Sequence, residues 1–76
     1  MKELLEIIAK SLVDRPEEVS VSEVDDGDET FFELRVAPDD LGKVIGRQGR
    51  TARALRTLLG VAGMKRRRRL VLDIVE

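Results

Sequence analysis

Seventy-six residues carry 14 basic and 15 acidic side chains and no cysteine, histidine, tryptophan or tyrosine. That length holds one small core and no second domain, and the missing thiols and imidazoles exclude disulfides, cysteine nucleophiles, imidazole bases and the common zinc ligand sets. The net charge of −1 hides a polarity: residues 1–40 hold four bases against thirteen acids, a balance of −9, and residues 41–76 hold ten bases against two acids, a balance of +8.

The elements follow in chain order. Leu4, Ile8 and Leu12, with Leu5 and Ile7, recur at helical spacing from about residue 2 to 13, and Pro16 stops the helix. This stripe is assigned to the core. Val19, Val21 and Val24 form a first strand, and the Asp-Gly turn of Asp25-Asp26-Gly27-Asp28 leads into a second over Thr30–Val36. In the second strand Phe32, Leu34 and Val36 share one face and Glu33 and Arg35 the other, which predicts a sheet covered on one side by helices. Pro38-Asp39-Asp40 starts a short helix, its acids placed favourably against the dipole, with Leu41, Val44 and Ile45 apolar. Gly46 ends it. Ala52, Leu55, Leu59 and Ala62 mark a further helix of about three turns from Arg50 to the Gly60–Gly63 region. A last strand spans Arg67–Val75, with Leu70, Leu72 and Ile74 on one face.

Between the two consecutive helices lies Gly42-Lys43-Val44-Ile45-Gly46-Arg47-Gln48-Gly49-Arg50. Two glycines three apart let the chain turn through conformations closed to residues with a Cβ, and let a ligand's backbone come against the protein's own. The next helix points its free N–H groups at the turn, where its dipole favours an anion, and Arg47 and Arg50 add positive charge. The residue types describe a clamp for phosphates.

The order is helix, strand, strand, helix, helix, strand. With the Gly-x-x-Gly joining consecutive helices, and with Arg53-Ala54-Leu55-Arg56 after it, the chain resembles over its whole length the bacterial single-KH-domain RNA-binding proteins of the KhpA type. The resemblance implies one α+β domain over residues 1–76, a type II KH fold with a three-stranded mixed sheet and three helices packed on one face. It implies a non-catalytic protein that clamps about four nucleotides of single-stranded RNA, through Gly42, Lys43, Ile45, Gly46, Arg47, Gln48, Gly49, Arg50, Arg53 and Arg68. Val44, Ile45, Ala52 and Leu55 are candidates for an apolar floor under the bases, with the last strand near Arg68–Leu70 as the opposite wall. A role as an RNA chaperone or post-transcriptional regulator is implied, as are a homodimer, pairing with a larger KH-containing protein of the KhpB type, and links to cell-wall and cell-shape control. No cofactor, metal or membrane enters this reading. An acidic N-terminal segment and the lack of a long apolar stretch predict a cytoplasmic protein.

Plainer readings stand beside these. Gly46 and Gly49 also suit helix capping, and Lys65–Arg69 also suits solvent-facing entry into a strand. The acids of Asp25–Glu29 fit a hairpin tip better than a metal site. With only Phe31 and Phe32 there is no stacking platform, so one domain binds modestly and gains selectivity from a second. The alternative function is a protein-interaction adaptor dimerising through Leu58, Val61 and Met64. An enzyme ranks last: the acids are scattered and no histidine, cysteine or tyrosine is available as a tuned base or nucleophile.

Overall fold

The computed structural model describes residues 1–75. Helix α1 (Lys2–Leu12) leads through a short 3₁₀ turn to strands β1 (Ser20–Asp25) and β2 (Glu29–Arg35). A second 3₁₀ turn opens α2 (Leu41–Ile45), a third (Arg47–Gly49) joins it to α3 (Arg50–Arg66), and β3 (Arg69–Val75) closes the fold. The sheet order is β1-β2-β3, with β1 antiparallel and β3 parallel to the central β2. This mixed sheet under three helices is the α+β, type II KH architecture expected from the order of elements.

The hairpin tip is built as its residues dictate. Asp25 Oδ1 accepts the Gly27 N–H at 2.9 Å, Asp26 Oδ1 accepts the Glu29 N–H at 3.0 Å, and Gly27 takes φ +99°. The Asp25 carboxyl is held below its ordinary value, first by the Gly27 N–H and then, against some desolvation, by the Arg68 guanidinium. These carboxylates are spent on the turn.

The inner face of the sheet follows the alternation: Phe32, Leu34 and Leu72 are buried with Val21, Val44, Leu55 and Leu59. From α1, however, the core takes Leu5 and Ala9, while Leu4 and Leu12 are exposed and Ile8 is half-buried. The adjacent leucines and isoleucines allow either stripe, and the helix turns the one that brings its small Ala9 close to its neighbours. Helix α3 is longer than its predicted three turns, because Gly60 and Gly63 are helical rather than terminating. It ends instead at Arg67, a left-handed residue with φ +56°. There the Arg68 N–H donates to the Gly63 carbonyl at 2.8 Å and the Arg67 N–H to that of Met64 at 3.3 Å, the paired bonds of a Schellman end. A Cβ on Gly63 would lie 2.3 Å from the Arg68 carbonyl oxygen, so the glycine lets β3 start against the helix.

Asp40 does more than face a dipole. Its side chain is 2% exposed, and its two oxygens accept the N–H groups of Asp14 (3.2 Å) and Arg15 (3.0 Å). It therefore ties the chain leaving α1 to the start of α2. Asp40→Ala leaves these amides unpaired in a half-buried position and is expected to cost about 2–3 kcal/mol, a fall in Tm of roughly 10 °C for a chain this short. Thermal unfolding followed by circular dichroism measures it, and an unchanged Tm would mean that water replaces the carboxylate without loss.

Candidate nucleic-acid interface

The loop between α2 and α3 holds three departures from ordinary backbone within four residues. Gly46 has φ +80°, ψ +169°; Gln48 has φ +56° and Gly49 φ +73°, both left-handed. The two glycines are required for different reasons. A Cβ on Gly46 would stand 2.3 Å from Thr51 Oγ1 and 2.8 Å from the Thr51 backbone nitrogen, so Gly46 is fixed by the close approach of α3. A Cβ on Gly49 would meet nothing within 4 Å, so Gly49 is needed for its backbone angle alone. The N–H groups of Gly46 and Gly49 are consumed within the turn, by the Gly42 carbonyl at 2.9 Å and the Gly46 carbonyl at 3.0 Å. Arg47 and Gln48 are left to supply the loop's backbone donors.

Beside this loop lies a groove of about 510 Å³ lined by Ile45, Gly49, Ala52, Arg53, Arg56 and Ile74. Ile45 and Ala52 come from the helices next to the turn, and Ile74 from the far end of β3. Arg47, Arg50, Arg53 and Arg56 surround the loop and groove, and none of them forms an ion pair with a carboxylate among the described residues. Arg50 Nη2 instead donates to Gln48 Oε1 at 3.3 Å, and Arg56 Nε donates to the Leu72 carbonyl of β3 at 3.3 Å, across the groove. Unpaired guanidinium groups at a rim, an apolar floor and no acid in the lining make a surface for a polyanion with flat apolar parts.

The structure brings together Ile45, Gly46, Arg47, Gln48, Gly49, Arg50 and Arg53; of the other expected site residues, two stay beside the loop in different roles and one lies far from it. Gly42 serves the turn through its carbonyl. Lys43 lies 3.4 Å from Asp14, an exposed ion pair, which makes it the weakest of the expected cations. Arg68 is at the wrong end: α3 is 17 residues long, so ~25 Å of helix stands between the loop and the start of β3. Arg68 pairs there with Asp25, and its Nε lies 3.3 Å from Thr30 Oγ1. Because β3 runs back along α3, the strand residue that lines the groove is Ile74 rather than any of Arg68–Leu70. Val44 and Leu55 are core residues, 0% and 5% exposed, and cannot form the floor. Arg56 and Ile74 complete it; the three-residue step from Arg53 to Arg56 was the available signal for one, and the other, on the apolar face of the last strand, had none that told it from Leu70 or Leu72. Neither phenylalanine reaches the groove, since Phe32 is in the core and Phe31, with Val24 and Val71 beside it in register, lies on the open face of the sheet.

A family model described as the KH domain of KhpA/KhpB matches residues 2–74. The chain belongs to this family. It is similar to the RNA-binding protein KhpA of Halalkalibacterium halodurans, with 57% identity over 76 residues and the full length of both chains. Against that of Clostridium acetobutylicum, identity is 56% over 75 residues, 99% of this chain and 100% of the relative; against that of Aquifex aeolicus it is 50% over 76 residues, 100% and 96%. No solved structure gives a significant match. Among the described residues no helix is long and apolar enough to cross a membrane.

The two loop glycines of this family member respond differently to alanine. Gly49→Ala is expected to cost about 1 kcal/mol, the ordinary price of a left-handed alanine, and Gly46→Ala at least twice that, because Thr51 backbone must also move. Urea unfolding of the two variants compares them directly, and equal losses would show that the α3 start yields without strain.

Proposed function

We propose that the chain is a non-catalytic binder of single-stranded RNA. The phosphate backbone lies across Gly46–Gly49, held by the N–H groups of Arg47 and Gln48 and by the side chains of Arg47 and Arg50, while bases turn over Ile45, Ala52 and Ile74. The observation that carries this reading is the groove joining the strained loop to the end of β3, with Arg53 and Arg56 along it and neither in an ion pair among the described residues. Relatives named RNA-binding protein KhpA support it. A duplex is too wide to place its bases in such a slot, and single strands present theirs. Without an aromatic in the groove, base stacking of ~1–3 kcal/mol per base is forgone, so affinity is modest and salt-sensitive. Such a binder suits RNA chaperoning or post-transcriptional regulation, in which weak contacts are added together.

Reversing charge in the turn tests the clamp. Arg47→Asp with Gln48→Asp is expected to weaken binding to a short single-stranded RNA at least tenfold, about 1.4 kcal/mol, without changing the circular dichroism spectrum. Fluorescence anisotropy across a salt series, with matched single-stranded DNA and duplex RNA as comparisons, reads it. Undiminished binding by the double variant would place the site elsewhere.

A second reading, as a dimerising adaptor, has its own observation. Leu58, Val61 and Met64 are 53%, 52% and 80% exposed, and a depression of about 310 Å³ joins Leu58, Val61 and Ala62 of α3 to Leu4 of α1 and to Met1 before it. Exposed apolar area of this kind marks association, with a second copy or with a KH-containing partner such as a KhpB-type protein. It lies on different residues from the groove, so the two functions coexist, and dimerisation places two weak clamps on one RNA. Val61→Asp is expected to convert a dimer to a monomer in multi-angle light scattering. A mass unaffected by the change would remove this patch from consideration.

A further inference from the structure

The clamp occupies one end of α3, and the other end carries a second depression that the clamp does not use. It has a volume of about 550 Å³ and is lined by Gly60, Gly63, Met64, Arg67–Arg69 and Leu70. On α3, Arg53 and Arg56 line the first groove and Gly60 and Gly63 the second. Their successive spacings of three, four and three residues stack all four on one face of the helix. Strand β3 borders both depressions, with Ile74 at the clamp and Leu70 at the far end. The two thus lie one after the other along the seam between α3 and the edge of the sheet, a path called the channel below.

Three features of this channel are unexplained by the fold. First, Gly60 sits inside a long helix, where glycine is destabilising relative to alanine, yet a Cβ there would meet nothing within 4 Å. Packing does not demand it, in contrast to Gly63, and its effect is to keep the channel open at mid-length. Second, the helix ends on Arg67 in the left-handed conformation that glycine or asparagine normally occupies. The strain is retained and the guanidinium, at the rim of the second depression, makes no ion pair among the described residues. Its neighbour Arg68 is committed to Asp25 and Thr30, and Arg69 lies 3.8 Å from Glu29 with its side chain 75% exposed. Third, β3 presents an open edge along the whole channel. The Arg69 N–H donates to Asp28 and the Val75 carbonyl accepts from Val36, so the odd-numbered residues turn their backbone groups to β2. Those of Leu70, Leu72 and Ile74 face the channel, and among the described residues only the Leu72 carbonyl is taken, by Arg56.

We infer that the chain binds a single strand of RNA longer than the clamp alone covers: the strand leaves Gly46–Gly49, follows the open edge of β3 past Gly60, and sets a later phosphate on Arg67. This rests on the clamp reading and extends it. Arg67 supplies a fixed charge at the far end, Gly60 the clearance, and the free N–H and C=O groups of Leu70 and Ile74 partners for base edges. The Arg56–Leu72 hydrogen bond lies across the path between the two depressions, so a strand that fills the channel exchanges it for a phosphate or base contact.

The test uses the whole chain and two RNAs of one repeating sequence, one of about four nucleotides, the span of a KH clamp, and one roughly three times as long. The wild type is expected to bind the longer RNA at least tenfold more tightly. Arg67→Gly removes the charge while relieving the strained backbone, so its melting temperature does not fall. It is expected to lose most of the length gain, to lower the salt slope on the longer RNA by about 0.7, the value for one released single-strand phosphate contact, and to bind the short RNA as the wild type does. Gly60→Leu, which fills the mid-channel, is expected to lose the length gain in the same way. Equal binding of the longer RNA by the wild type and Arg67→Gly would overturn the channel and leave the clamp standing. So would an equal loss on both RNAs, which marks general attraction. A wild type that binds neither RNA overturns the clamp and the channel together.

Discussion

The site depends on how tightly the chain reverses between α3 and β3. At Gly63 the absence of a Cβ lets the Arg68 carbonyl come against the helix, and the two hydrogen bonds closing the α3 end hold it there. From that contact β3 can only run back along α3, parallel to β2, and it arrives with Ile74 next to the start of the helix. Were the reversal looser, the last strand would still pair with β2, but the groove beside Gly49 would lack its second wall. A backbone contact at one end of a 17-residue helix thus sets the geometry of the loop at the other.

A second constraint acts at the loop. Gly46 is placed by the close approach of Thr51 and Gly49 by its left-handed angle, so two independent constraints shape the turn before any ligand arrives. Preorganisation of this kind lets a small site bind without first ordering a segment. Asp40 performs the corresponding service behind the loop, holding α2 to the chain that leaves α1 through two amides. The residues that position the loop are mostly uncharged or inward-facing, and the arginines around it form no ion pair among the described residues.

Charge separation along the sequence has a spatial counterpart. Asp14, Glu18, Asp25, Asp26, Glu29, Glu33 and Asp40, all in the first half, serve the hairpin tip, the ion pairs of Arg15, Arg35, Lys43, Arg68 and Arg69, and the Asp40 tie. They neutralise the start of β3 in part and leave the α3 stripe uncompensated. A chain of net charge −1 can therefore present a locally cationic channel, because the field near a surface depends on the nearest few charges rather than on the sum.

Element order, the apolar faces of β2 and β3, the hairpin tip and the glycine-bracketed turn were all legible in the sequence, because each rests on local rules: periodicity, turn chemistry and the backbone freedom of glycine. So was the family, since Gly46-Arg47-Gln48-Gly49 and its flanks form a long enough word. Only the tertiary structure decided which α1 stripe is buried, that α3 continues through Gly60 and Gly63, that Asp40 serves distant amides, and that Val44 and Leu55 belong to the core. It also moved Arg68 to the opposite end of the domain and put Ile74 and Arg56 in the groove. These outcomes depend on which backbones touch after the elements assemble, as at Gly63, and a one-dimensional pattern carries helix faces and strand faces without the direction in which the last strand returns.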